Sequence, residues 1–230
     1  MGFYSRSQLI QDAQRHNIQI NEIDINYSAL EHQVCYQQKT NDYVIQLGLS
    51  MVKGLANKNA KHLISHRPVQ GYQDFPSLMK TAVRKDDINK LASANALRSL
   101  ADNRYQARWQ VMNAENTLPL WQYANHDSTN KSVQSEFMFT PSAMDDLLED
   151  YASTGVSLDK HPIALLLADS KQRQIIGRCT LACDLVNIAP QSVVSVVGLV
   201  TGRQSPGTAS GVTFLTLEDH TGNSNVVIWQ

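Results

Sequence analysis

The sequence has no surplus of charge: its 20 lysines and arginines are matched by 21 aspartates and glutamates, leaving a formal net charge of -1. No global field recruits a polyanion, so any binding to nucleic acid has to come from local patches and oriented backbone groups. Long apolar runs are missing as well, and no membrane-spanning segment is expected. Cysteine is scarce and odd in number, with Cys35, Cys179 and Cys183; without a secretory leader at Met1, reduced thiols and a cytoplasmic location are expected. The gap in Cys179-Thr180-Leu181-Ala182-Cys183 is not that of a zinc knuckle, and His62 with His66 lacks the glutamate of a His-Glu-x-x-His site. Asp86-Asp87 and Asp145-Asp146 fall in the opening turns of predicted helices, where negative charge suits the macrodipole, and are read as helix-start carboxylates rather than a two-metal site. No catalytic residue, metal ligand or cofactor is assigned.

What is present is a helical hairpin. Leu47 to Ile64 reads as two short helices joined at Lys53-Gly54-Leu55-Ala56. Gly54 supplies the backbone freedom of the turn, Leu55 is expected to bury between the helices, and the helix starting near Asn57 aims free N–H groups at whatever lies above. Phosphate is the natural occupant of such a helix-hairpin-helix, and an ordinary packing hairpin is the alternative.

Around it the sequence predicts an α+β chain in five parts. Residues 1–48 form a small α/β unit, with a helix over Ser7–Gln14 and strands around Ile18–Ile25, Gln33–Tyr36 and Tyr43–Leu49. Residues 49–113 form the hairpin module, continued by helices over Tyr72–Ala82 and Lys85–Leu97. Asn95 serves there as a left-handed turn, and a further helix capped by Asp102 carries a stripe of Tyr105, Trp109 and Met112. Residues 114–139, with the polar run Asn125–Ser132, read as a flexible connector. Residues 140–190 are helical: Thr140-Pro141 opens a helix with the stripe Met144, Leu147, Leu148 and Tyr151, Gly155 ends it, His161-Pro162 opens the next, and Thr180–Val186 offers a third. Residues 191–230 turn to β, with a long strand over Val193–Val200, a loop at Pro206-Gly207, a strand over Val212–Glu218 and another over Ser224–Trp229. This order is that of an incomplete OB-like barrel.

Taken together, the hairpin module, the connector, the Thr-Pro helix running into Tyr151-Ala152-Ser153-Thr154-Gly155-Val156-Ser157-Leu158, and the OB-like strands resemble the C-terminal side of bacterial family C DNA polymerases, which are polymerase III alpha-like. Leu47–Ala60, Asp150–Pro162 and Val196–Asp219 are similar to the error-prone branch of that family. The likeness covers essentially the whole chain. It places Met1–Ser5 inside the fingers region, so the chain is expected to be a fragment. The resemblance implies damage-tolerant, translesion DNA synthesis and repair by the full polymerase, with nucleotidyl transfer and magnesium confined to a palm that no segment of this chain resembles. A free-standing nucleic-acid-binding protein with helix-hairpin-helix and OB modules is the alternative.

The family's duplex-holding hairpin maps here onto Lys53, Gly54, Leu55, Ala56, Lys58 and Lys61, and departs from the usual pattern at Ala56, where a second glycine is customary. The OB-like part implies a single-strand site with Arg203 and Gln204 as candidates; Phe214 either stacks on a base or faces the barrel core. Asn116-Thr117-Leu118-Pro119-Leu120-Trp121 is similar to a sliding-clamp-binding peptide, with Leu118, Leu120 and Trp121 as anchors; the alternative is that the apolar pair pins the connector to the helical module. The expected partners are duplex and single-stranded DNA, the clamp and accessory translesion proteins, with no membrane.

Overall fold

A computed structural model describes residues 6–38, 41–81, 83–113, 141–207 and 211–229, which divide between two units, Met1–Leu158 and Asp159–Gln230. In the first, helix α1 (Arg6–Arg15) leads through Asn17, in the left-handed region at φ 59°, to three short strands, β1 (Gln19–Asn21), β2 (Gln33–Gln37) and β3 (Asp42–Gln46). The sheet order is β1-β3-β2, with β1 parallel and β2 antiparallel to the central β3. The strand expected over Ile18–Ile25 shrinks to three residues because its end is claimed by the core. Ile23 and Ile25 are buried, and the Ile25 N–H donates to Ala96 O at 2.8 Å instead of to a sheet partner.

A 3-10 turn at Leu49–Met51 follows, then α2 (Asn57–Ser65), α3 (Phe75–Met79), α4 (Lys85–Ser93), α5 (Arg104–Asn113) and α6 (Ala143–Ser153). Ile25, Leu49, Leu63, Leu78, Ile88 and Leu91 are all fully buried in one cluster, so the small sheet and the helical hairpins share a core. Tyr72 is buried in the same cluster and its hydroxyl donates to Leu63 O at 2.7 Å, as a buried phenol must.

Local chemistry explains where the expected helices moved. Asp74 and Ser77 form a capping box, which delays α3 to Phe75. Asn103, not Asp102, caps α5, its Oδ1 accepting from Tyr105 N–H at 3.1 Å and Gln106 N–H at 2.9 Å. The buried face of α5 is Arg104, Ala107 and Val111, whereas Trp109 and Met112 are 44% and 62% exposed. The stripe expected at Tyr105, Trp109 and Met112 is thus rotated away from the core. Ser142 with Asp145 caps α6, one turn position past Pro141. Of its expected stripe, Leu147 is buried and Leu148 exposed. Asn95 at φ 55° and Gly155 at φ 88° do end their helices, with Ala96 N–H returning to Leu91 O and Gly155 N–H to Asp150 O.

The second unit begins with α7 (Pro162–Ala168), capped by His161, and α8 (Ser170–Ile176), capped by Asp169. A 3-10 segment at Ala182–Asn187 stands where a helix over Thr180–Val186 is expected. The β part is an antiparallel meander of β4 (Leu199–Gln204), β5 (Val212–Glu218) and β6 (Asn223–Trp229), with a register shift between Val200 and Gly202. Val193–Gly198 is not a strand, because this valine-rich run finds no partner ladder among the described residues. The described strands do not close into a barrel. No described helix is long and apolar enough to cross a membrane.

Candidate nucleic-acid interface

The hairpin turn is built by two backbone demands. Gly48 enters it where a Cβ would lie 2.5 Å from Glu31 C and from Leu30 O, so only glycine lets the two backbones approach. Gly54 sits at φ 77°, in the left-handed region. Between them Met51 N–H bonds Gly48 O, Val52 N–H bonds Leu49 O, and Leu55 N–H bonds Val52 O, a ladder of tight turns rather than a full first helix. Leu55 is buried in the core while Lys53, Gly54, Ala56, Asn57 and Lys58 are exposed. One apolar side chain therefore anchors the turn and leaves its outer surface bare.

Ala56 is the N-cap of α2 and has no side-chain oxygen with which to cap it. Asn59 and Ala60 N–H return to Ala56 O at 2.9 and 3.0 Å. Among the described residues no acceptor meets the N–H groups of Asn57 and Lys58. These exposed donors coincide with the positive end of the helix dipole, which is the physical description of an anion-binding turn. Lys58 and Lys61 are exposed on the same helix, three positions apart and hence neighbours on its surface.

Lys53 also has an intramolecular role. Its N–H donates to Ser153 O at 2.8 Å and its Nζ to Tyr151 O at 2.6 Å, so the C-terminal carbonyls of α6 rest on the turn. An ammonium carries three donors, and this contact uses one. A Cβ on Gly155 would lie 3.5 Å from Lys53 Cε, which shows how closely the end of α6 follows the lysine stem.

The neighbouring α4 supports the turn with carboxylates. Asp87 is 3% exposed; it accepts from Asn59 Nδ2 of α2 at 2.7 Å and from Lys90 Nζ at 3.2 Å. Lys90 Nζ also pairs with Asp86 at 2.6 Å, and this hydrogen bond is the main reason why the Asp86 carboxyl is held below its ordinary value and the Lys90 ammonium above its own. Further along, Arg104 is 3% exposed and is ringed by Ser93 O at 2.9 Å, Asp146 at 3.0 Å and Asp150 at 2.5 Å. Arg108 grips Glu149 through both nitrogens, at 3.2 and 2.5 Å. The acidic pair Asp145-Asp146 accordingly splits its work, one residue capping α6 and the other pairing with α5. Asp87 is expected from the sequence only as a helix-start carboxylate, and no role is expected there for Lys90, Asn59, Arg104 or Arg108. The basic pair at 104 and 108 and the acidic residues at 146, 149 and 150, each on one helical face, are the signal that could have exposed the last two.

His62 and His66 stack at 4.0 Å between ring centroids; the His62 ring also meets Thr81 O and the His66 ring His62 O, each through a nitrogen within 2.9 Å. No group of residues suited to hold a metal ion occurs among the described residues. Leu118, Leu120 and Trp121 lie outside the described residues.

In the meander, Arg203 pairs across to Leu215 and Gln204 to Phe214. Successive residues point to opposite faces, so Arg203 and Gln204 cannot share one. Gln204 stands on the face of Phe214 and, across β6, Val227; Arg203 stands on that of Leu215 and Val226. Phe214 is 42% exposed, which leaves part of its ring available on its own face. At the other end of β5, Glu218 accepts from His161 Nε2 at 3.2 Å. Asp219 accepts from Ala182 N–H, Thr221 N–H, Thr221 hydroxyl and Gly222 N–H, all within 3.0 Å. Burial works to raise the Asp219 pKa, but these four hydrogen bonds outweigh it and hold the carboxyl below its ordinary value.

Residues 17–107 match a family model described as the helix-hairpin-helix motif, a range that contains the whole of the turn, α2, α3 and α4, and the start of α5. The full chain is similar to proteins named error-prone DNA polymerase: 47% identical over 230 residues to that of Vibrio vulnificus (strain CMCP6), 42% over 231 residues to that of Idiomarina loihiensis, and 36% over 233 residues to that of Alkalilimnicola ehrlichii. In each case all of this chain is aligned, and it spans about a fifth of the relative's length, 21% for the first two and 22% for the third.

Proposed function

We propose that this chain is the DNA-holding portion of an error-prone, translesion DNA polymerase, acting in damage-induced synthesis and repair in the cytoplasm. The observation that carries this reading is the turn at Lys53–Ala56, followed by two N–H groups at the start of α2 that meet no acceptor among the described residues, inside a segment matched as a helix-hairpin-helix and aligned in full with the named polymerases. Duplex backbone sits on that turn: Gly54, Leu55 and Ala56 shape it, the N–H groups of α2 receive a phosphate, and Lys53, Lys58 and Lys61 supply charge.

The meander is the opening of an OB-like barrel, and it offers single-stranded template the Gln204 and Phe214 face, with Arg203 serving backbone from the other side. Leu118, Leu120 and Trp121 anchor a clamp-binding peptide, and accessory translesion proteins act on the full polymerase. Nucleotidyl transfer, with its magnesium-binding carboxylates, belongs to the rest of the polymerase, so the chain alone binds DNA without extending primers.

Fluorescence anisotropy of a labelled duplex across a salt series tests the reading. Lys58→Ala and Lys61→Ala should each weaken binding for all sequences alike and reduce the slope of log K against log salt by about one. Binding that does not respond to salt, or slopes unchanged in both variants, would remove the hairpin from the interface.

A further inference from the structure

We infer that Lys90, a residue of α4 outside the hairpin turn, is a phosphate-binding residue of the hairpin that Asp86 and Asp87 hold in readiness beside Gly54. The inference rests on the duplex-binding reading above and adds a cation that comes from the neighbouring helix pair. A Cβ placed on Gly54 would lie 3.3 Å from Lys90 Cε and 4.0 Å from its Nζ, so the ammonium stands next to the bare side of the turn. It is also tied to the first turn of α2, since Asp87 accepts from both Lys90 Nζ and Asn59 Nδ2.

The two carboxylates differ in what they allow. The Asp86 side chain is 64% exposed, and a solvated i,i+4 pair of this kind is readily exchanged for another anion. Asp87 is buried and keeps Asn59 as a partner when the lysine turns outward. With two of its three donors on these carboxylates, Lys90 has one for a phosphate oxygen at once and gains a second by leaving Asp86. Asp86 meanwhile sets negative charge beside the same site, opposing the DNA that Lys90 attracts. Removing that carboxylate while keeping the lysine should therefore tighten binding.

The test measures duplex affinity of the 230-residue chain by anisotropy over a salt series, with a thermal melt of each variant. Lys90→Gln should weaken binding roughly threefold or more at moderate salt and lower the slope by about 0.9, and Lys90→Arg should restore the slope. Asp86→Asn should bind more tightly than the wild type by about twofold or more. A Lys90→Gln variant that melts normally and keeps the wild-type slope overturns the inference while leaving the duplex-binding reading intact. If Lys90→Gln loses its fold, Asp86→Asn decides alone, and affinity at or below the wild type overturns it. Absence of salt-dependent binding by the wild type removes the duplex reading and this inference with it.

Discussion

Gly48 and Gly54 stand six positions apart in the same hairpin and are needed for different reasons. At Gly54 the difficulty is the dihedral, φ 77°, which costs an L-residue about 1–2 kcal/mol; the nearest atom to an added methyl, Lys90 Cε at 3.3 Å, ends a flexible side chain and can give way. At Gly48 the dihedral is ordinary, φ -91°, but an added methyl meets the backbone of Leu30 and Glu31 at 2.5 Å. Backbone cannot yield as a side chain does, and overpacking of this kind costs about 1–3 kcal/mol or more. Gly48→Ala should therefore destabilise the first unit more than Gly54→Ala in urea unfolding, whereas Gly54→Ala should lose more duplex affinity per unit of stability lost. The motif glycine was legible in the sequence because a helical hairpin has to turn somewhere. The demand at Gly48 comes from Leu30 and Glu31, far away in the sequence, and no local pattern reports it.

At the scale of elements, α5 and α6 are joined chiefly by charge. Arg104 is buried with Asp146, Asp150 and Ser93 O around it, and Arg108 holds Glu149 in a two-point pair. Truncating one partner of a buried pair costs about 3–5 kcal/mol when the other is left desolvated. Asp146 and Asp150 are partly open to solvent and can rehydrate, so Arg104→Met should fall at or below the lower end of that range. Hydrogen exchange should show the loss concentrated in Ala143–Ser153, and the Lys53 contacts to Tyr151 and Ser153 should loosen with it. Protection of α6 equal to the wild type would mean that apolar packing through Leu147 suffices. The same clasp explains why α5 turns a different face to the core from the one its apolar periodicity predicts. Apolar periodicity placed Trp109 and Met112 inward, but the face of α5 is chosen by two arginines that have carboxylate partners on another helix, and hydropathy counts arginine as surface. Helix ends fared better where a single residue decides them, as at Asn95, Gly155 and Pro162. Strands fared worst where they depend on a partner: Val193–Val200 is rich in β-formers, yet the ladder begins at Leu199, and Val193 is fully exposed.

For the whole molecule, the two units differ sharply in what holds them. The first has a large apolar core running from Ile23 to Val156. In the second, Ile163 is the one buried apolar side chain among the described residues, and its other buried side chains are Glu218 and Asp219. A small unit with so little apolar burial depends on its polar contacts, and Asp219, with four donors around one carboxylate, is the principal one. The chain should accordingly unfold in two transitions, with Asp159–Gln230 melting first. Because the folded Asp219 pKa lies below the unfolded value near 3.8, its contribution is fully present above that value and disappears as pH falls through the lower, folded one. Asp219→Asn should lower the first transition at neutral pH, since an amide NH2 cannot accept from all of these donors, and should leave the second transition unmoved. The gap between variant and wild type should close on acidification below the unfolded value. An equal shift of both transitions would mean that the units unfold as one, and a gap that persists at low pH would mean that Asp219 acts through something other than its charge.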